Sequence, residues 1–164
     1  MIVKNTKDEL LSYLKDASNI EGRADVLFKK KKKKELKESL SECSRKKIPV
    51  TISGAGTGLT AGRTPDGGAV ISTEKLKKIK INKQSTALVQ AGAFVSELQE
   101  KASEAGLFYP PNPTEINSSL GGNAATNASG SRTLKYGATR DFILSAEVIL
   151  ISGESLFLQR GKDK

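Results

Sequence analysis

Val50-Thr-Ile-Ser-Gly-Ala-Gly-Thr-Gly-Leu-Thr-Ala-Gly62 sets an apolar, β-branched run directly before a glycine-rich segment. Val50, Thr51 and Ile52 favour a strand, so Gly54, Gly56 and Gly58 stand at a strand end. Glycine adopts positive φ at little cost and, without a Cβ, lets a ligand approach the backbone. Successive exposed N–H groups in such a loop make a concavity for anions, phosphates above all. The plainer alternative is a flexible surface turn.

A second small-residue stretch, Leu120-Gly-Gly-Asn-Ala-Ala-Thr-Asn-Ala-Ser-Gly130, follows Pro110-Pro-Asn-Pro113 and precedes Lys135-Tyr-Gly137. Both stretches read as long loops poor in charge, and an extended ligand with a polyanionic middle would fit the pair. Common nucleotide motifs do not account for them. A G-x-G-x-x-G fingerprint starting at Gly54 needs glycine where Leu59 stands. A P-loop needs Gly-Lys, and Gly62 is followed by Arg63 and Thr64.

Taken together, the segments resemble the FAD-binding domain of the vanillyl-alcohol oxidase and para-cresol methylhydroxylase (PCMH-type) superfamily, nearest its glycolate oxidase flavin-subunit and D-lactate dehydrogenase branch. Ile48 to Gly58 looks like the family's first pyrophosphate loop, and Pro110 to Thr114 like its P-x-D-P-T/S segment, with Asn112 in place of Asp. Ser119 to Gly130, then Leu134 to Asp141, resembles its second loop. The resemblance covers nearly the whole chain. It implies an α/β (α+β) fold of two small subdomains that bind FAD, truncated before the domain ends and without the cap domain that closes the substrate pocket.

The cofactor contacts implied by the resemblance fall on both stretches. Ser53, Gly54, Ala55, Gly56, Thr57, Gly58 and Leu59 would take the pyrophosphate, largely through N–H groups. Ser119, Leu120, Gly121, Gly122, Ala125, Thr126 and Asn127 would hold its other side and the ribitol, with Ser119 and Thr126 as hydroxyl donors, and Gly130 closes that stretch. Pro111, Pro113 and Thr114 would line the approach to the ring, and Tyr136 and Gly137 belong to the same motif. Tyr136 reads equally as a core ring. The implied chemistry is oxidation of a 2-hydroxy acid with hydride passing to the flavin. The alternatives are a flavin-binding subunit that needs another chain for catalysis, and an inactive remnant.

Absences narrow the chemistry further. The sequence holds no histidine, so the commonest general base and metal ligand is missing and a histidyl-flavin bond is impossible. Covalent branches of the family often carry histidine where Thr57 stands, so the resemblance implies a dissociable FAD. No catalytic residue and no metal site is assigned. The one cysteine, Cys43, allows no intrachain disulfide and lies on an apolar helical stripe. That agrees with a reducing compartment. The first residues lack a signal peptide's apolar core and no stretch approaches a membrane span, so the reading is cytoplasmic, with peripheral membrane attachment left open.

The net charge of +9 invites a nucleic-acid reading, but Lys29 to Lys34 contributes six of those charges. Aromatics make up only 5% of the chain and do not interleave with basic residues, which speaks against nucleic acid. The run reads as a solvated connection, with an anionic lipid surface as the alternative.

With 164 residues and 37% hydrophobic content the chain can bury roughly 70% of its unfolded surface. The order of elements expected is alternating α and β with mixed sheets. Thr6 and Glu9 form a capping box for a first helix of about ten residues bearing Leu10, Leu11 and Leu14. Ala24 to Phe28 is a strand; Leu36, Leu40 and Cys43 mark a second helix. Strands follow at Val50 to Ser53, Ala69 to Ser72 and Thr86 to Gln90, then a helix with Val95, Leu98, Ala102 and Ala105, stopped by Gly106. Phe142 to Ile151 reads as a buried strand paired with Ser155 to Leu158, its edge open to a further strand or a partner chain. A subdomain boundary is placed near Gln84, giving 1–84 and 85–164.

Overall fold

The computed structural model describes residues 7–162. They form two compact units, one of residues 7–75 with 144–162 and one of residues 76–143. The division therefore lies at Lys75 rather than near Gln84, and the C-terminal hairpin belongs to the first unit. The cause is packing: Ile149 of that hairpin joins the first unit's core, and its Glu147 pairs with Lys33 at 2.9 Å.

In the first unit, β1 (Val26–Lys29), β2 (Val50–Ser53) and β3 (Ala69–Ser72) make a parallel sheet in the order β1-β3-β2. The central strand β3 is buried throughout, as a strand covered on both faces must be. Alternation sorts its neighbours. Val26, Phe28, Ala69 and Ile71 meet Leu40 and Cys43 of α2 (Lys33–Arg45) on one face, with Leu36 and Val50 at the margin. Leu27 and Val70 meet Tyr13 and Leu10 on the other. Among the described residues helix α1 spans Lys7–Leu11 and ends earlier than expected. Beyond its end the Ser12 carbonyl, which a ten-residue helix would use internally, accepts instead from Arg63, as does the Lys15 carbonyl. Thr6 lies outside the described residues.

The strands β6 (Ser145–Ile149) and β7 (Ser155–Gln159) pair antiparallel. They are not the buried pair expected: Leu144, Val148, Leu150, Leu156 and Leu158 are all exposed. A two-stranded ribbon has two faces, and only that of Ile149 finds a core.

The second unit starts with an antiparallel pair, β4 (Ile79–Ile81) and β5 (Ala87–Val89). Among the described residues no single sheet is mixed; one is parallel and two are antiparallel. Helix α3 (Val95–Glu104) closes with Gly106 at φ +68°, as a glycine stop requires. Its N-terminus is tied by Glu97, whose carboxylate accepts the Phe94 N–H at 2.8 Å. Ala93, Val95, Leu98 and Leu120 form the core, flanked by Ile79, Ile81, Val89 and Tyr109. The second small-residue stretch is not a loop. Leu120–Thr126 is helix α4, capped by Ser119, with Asn127 in the left-handed region at its end. A short helix α5 (Thr133–Tyr136) and a 3-10 turn (Thr139–Phe142) complete the unit.

Candidate functional site

Because β1, β2 and β3 are parallel, Lys29, Ser53 and Ser72 share one register level at the carboxyl end of the sheet. Ligands of open parallel sheets bind outside that end, and Gly54 to Gly58 leave β2 there. Ser53 is fully buried, Ala55 and Thr57 are half-buried, and Leu59 stands exposed. Of the three glycines expected to use positive φ, only Gly56 does, at +80°.

The underside of this loop is anchored. The Gly56 carbonyl accepts the Ala17 N–H at 3.1 Å, and the Gly54 carbonyl and Ser53 hydroxyl accept from Arg63 at 3.4 and 3.0 Å. Among the described residues, no backbone N–H from Gly54 to Gly58 donates a hydrogen bond. A half-buried run of open donors is costly unless water or an anion completes it, and it suits a phosphate. A Cβ on Gly56 would collide with the Arg63 guanidinium.

Charge around the loop is balanced locally. Burial pushes the Asp16 carboxyl up, but hydrogen bonds from Ser18 and the nearby Arg63 charge bring it below its ordinary value. Burial lowers the Arg63 guanidinium, against the attraction of Asp16. Nearby, the Tyr13 hydroxyl donates to Glu74, and Lys29 bridges Glu9 at 2.8 Å and Glu74 at 3.8 Å. Glu9 raises the Lys29 ammonium to about 12, although burial opposes it. Thus Lys29, the first of the lysine run, is structural, Lys33 pairs with Glu147, and Lys31, Lys32 and Lys34 face solvent.

In the second unit the expected site residues gather around α4. Pro113 bridges Gly130, Asn112 donates to Ser131 at 3.0 Å, and Gln99 holds the Pro111 carbonyl at 2.9 Å, so the Pro-Pro-Asn-Pro segment lies against the end of the second stretch. Pro111 and Pro113 are buried; Thr114, Ala125 and Thr126 are exposed. Several groups expected to face a ligand already have protein partners. Ser119, 4% exposed, accepts the Gly122 N–H, and the Leu120 and Gly121 N–H groups donate to Ala93 and Ala91. The Thr126 hydroxyl donates to the Gly122 carbonyl at 2.9 Å. Gly121 is small because a Cβ there would sit 2.6 Å from that of Ala91. Asn127 accepts the Arg140 N–H, Tyr136 packs edge-on against Phe108 at 5.7 Å, and Gly137 turns at φ +99°.

Of the two stretches, the one with a run of open backbone donors is residues 54–58. Arg63, which supports that loop, carries no local motif; its contacts span 9 to 51 residues of sequence.

Over residues 24–158 the chain matches the FAD binding domain family. It belongs to that family. The domain is 40% identical to the D-lactate dehydrogenase of Anaerostipes hadrus, over 91% of this chain and 31% of that protein. It is 31% identical to the glycolate oxidase subunit GlcD of Bacillus subtilis, over 94% of this chain and 37% of that protein. Its fold is that of PCMH-type flavoproteins: the structure of 6-hydroxy-D-nicotine oxidase from Arthrobacter nicotinovorans superimposes with a TM-score of 0.85 at 18% identity, over 99% of this chain and 36% of the other. The chain spans about a third of the length of these relatives. Among the described residues no helix is long and apolar enough to cross a membrane, and no group of three or more acidic or cysteine side chains is placed to hold a metal.

Proposed function

We propose that this FAD-binding domain holds FAD non-covalently, as the flavin-binding portion of an oxidoreductase acting on 2-hydroxy acids of the glycolate or D-lactate type. The observation that carries the reading is the half-buried loop after β2, whose N–H groups from Gly54 to Gly58 find no acceptor among the described residues. Bound FAD would supply a hydride acceptor; the protein's part is to bind and orient it. Ser53 to Leu59 take the pyrophosphate in this reading. Pro111, Pro113, Thr114, the Ser119 to Asn127 helix, Gly130, Tyr136 and Gly137 are proposed as further contacts, with the α4 residues acting mainly through shape, since their cap groups are occupied.

Non-covalent binding is supported by the absence of histidine and by the burial of Cys43, 2% exposed within the α2 core. The lone thiol also fits a reducing, cytoplasmic setting. The exposed apolar face of Leu144, Val148, Leu156 and Leu158 is where we place further polypeptide or a partner chain. Absorption spectra before and after acid precipitation test the cofactor reading: a flavin spectrum that moves wholly to the supernatant is expected. Colour retained in the pellet would contradict non-covalent binding, and a colourless protein that takes up no added FAD would contradict FAD binding itself.

A further inference from the structure

Arg63 serves four acceptors at once. Nη1 donates to the Ser53 hydroxyl at 3.0 Å and the Gly54 carbonyl at 3.4 Å; Nε and Nη2 donate to the Lys15 carbonyl at 2.9 and 2.7 Å; Nη2 also reaches the Ser12 carbonyl at 3.0 Å. The guanidinium thereby ties the start of the glycine loop to the turn after α1. The same turn supplies the second anchor, the Ala17 N–H on the Gly56 carbonyl at 3.1 Å.

These two anchors fall on alternate peptide units. The described chain has no cis peptide bond, and across a planar trans peptide the C=O and the next N–H point in opposite directions. With the Gly54 and Gly56 carbonyls held toward Arg63 and Ala17, the N–H groups of Ala55 and Thr57 are aimed the other way, off the 12–17 turn. Neither donates a hydrogen bond among the described residues. Gly56, between them, sits at φ +80°, and the space its Cβ would need is filled by the guanidinium.

We infer that Arg63 is a positioning residue of the phosphate loop: holding the Gly54 carbonyl, it turns the Ala55 N–H toward a pyrophosphate without touching the ligand, and by pinning the Ser12 and Lys15 carbonyls it fixes the turn whose Ala17 N–H holds the Gly56 carbonyl and so aims the Thr57 N–H. A lysine could not substitute, because an ammonium lacks the planar fork that reaches hydroxyl and carbonyls on two segments together. The inference rests on the FAD reading above.

The test uses the 164-residue chain as wild type, R63A and R63K. FAD affinity is measured below the melting temperature of each, with the Ala55 and Thr57 amide resonances followed on FAD addition. Wild type should bind FAD with both amides shifting strongly. R63A should lose at least about tenfold in affinity, roughly 1.4 kcal/mol, with the two shifts abolished, and R63K should fall between. Should R63A fail to fold, R63K carries the comparison. FAD affinity within about twofold of wild type in the folded variants would make Arg63 a mere staple and overturn the inference. So would FAD binding by wild type that leaves both amides unmoved. Wild type that binds no FAD sinks the cofactor reading, and this inference with it.

Discussion

Gly56 is the residue at which conformation and function meet. Its φ of +80° strains a side chain there, and a Cβ would have to displace the guanidinium behind it. Gly56→Val should therefore weaken FAD binding at least about tenfold, since a β-branched residue at positive φ costs about 1–3 kcal/mol before any clash is counted. Equilibrium titration of the folded variant checks this. The Tyr13, Lys29 and Glu74 cluster makes a second residue-scale prediction. Burial pushes the Glu74 carboxyl up, but the Tyr13 hydroxyl and the Lys29 and Lys75 charges outweigh it and hold it low. A carboxyl lowered in the folded state contributes stability above its unfolded value of about 4.3 and loses it as pH falls. Thermal melts should thus drop between about pH 5 and pH 3, and less steeply in Glu74→Gln. Lys29, raised to about 12, and Tyr13, raised by burial, have the opposite sign: their contribution is full below about pH 10 and fades as pH rises.

At the scale of the element, α4 shows how a stretch rich in small residues becomes ordered. Ser119 caps it, and Gly121 lets its first turn lie on Ala91. Ser119→Ala should cost about 1 kcal/mol of stability through the lost cap. Gly121→Val should cost about 1–3 kcal/mol by overpacking. Both changes should appear in denaturant melts of the apo protein, with no FAD present. Apo stability equal to wild type in both would mean that α4 is not held by its cap and its contact with Ala91. The contrast with Gly56 is instructive. Three glycines of similar sequence context serve a left-handed turn, a close helix contact and, at Gly130, an approach to the Asn112 backbone.

For the molecule as a whole, the expected behaviour is cofactor binding without turnover by this chain. Proton removal from a substrate hydroxyl needs a positioned base with a suitable pKa, and the sequence has no histidine. The carboxylates with displaced pKa values, Asp16, Glu42, Glu74 and Glu147, are already occupied by Ser18, Lys46, Tyr13 and Lys33. Anaerobic mixing of the FAD-loaded chain with D-lactate or glycolate should leave the flavin absorbance band unchanged; prompt bleaching would reveal a base that these contacts do not identify.

Much of this was legible from residue order. The strands at Val50–Ser53 and Ala69–Ser72, the α2 stripe of Leu40 and Cys43 and the Gly106 stop follow from local pattern, because periodicity and turn chemistry are local properties, and the FAD-binding family followed from the resemblance of the two small-residue stretches to that family. Long-range contacts decided the rest. The early end of α1 goes with Arg63 capturing the Ser12 carbonyl beyond it, the helical form of residues 120–126 with the Gly121 contact with Ala91, and the place of the C-terminal hairpin with Ile149 and Glu147 finding the α2 side of the first unit. The open N–H groups of Ala55 and Thr57 belong to the same class: sequence could mark a glycine loop, but only a guanidinium from beyond the loop and an amide from the turn after α1 determine which way its peptides face.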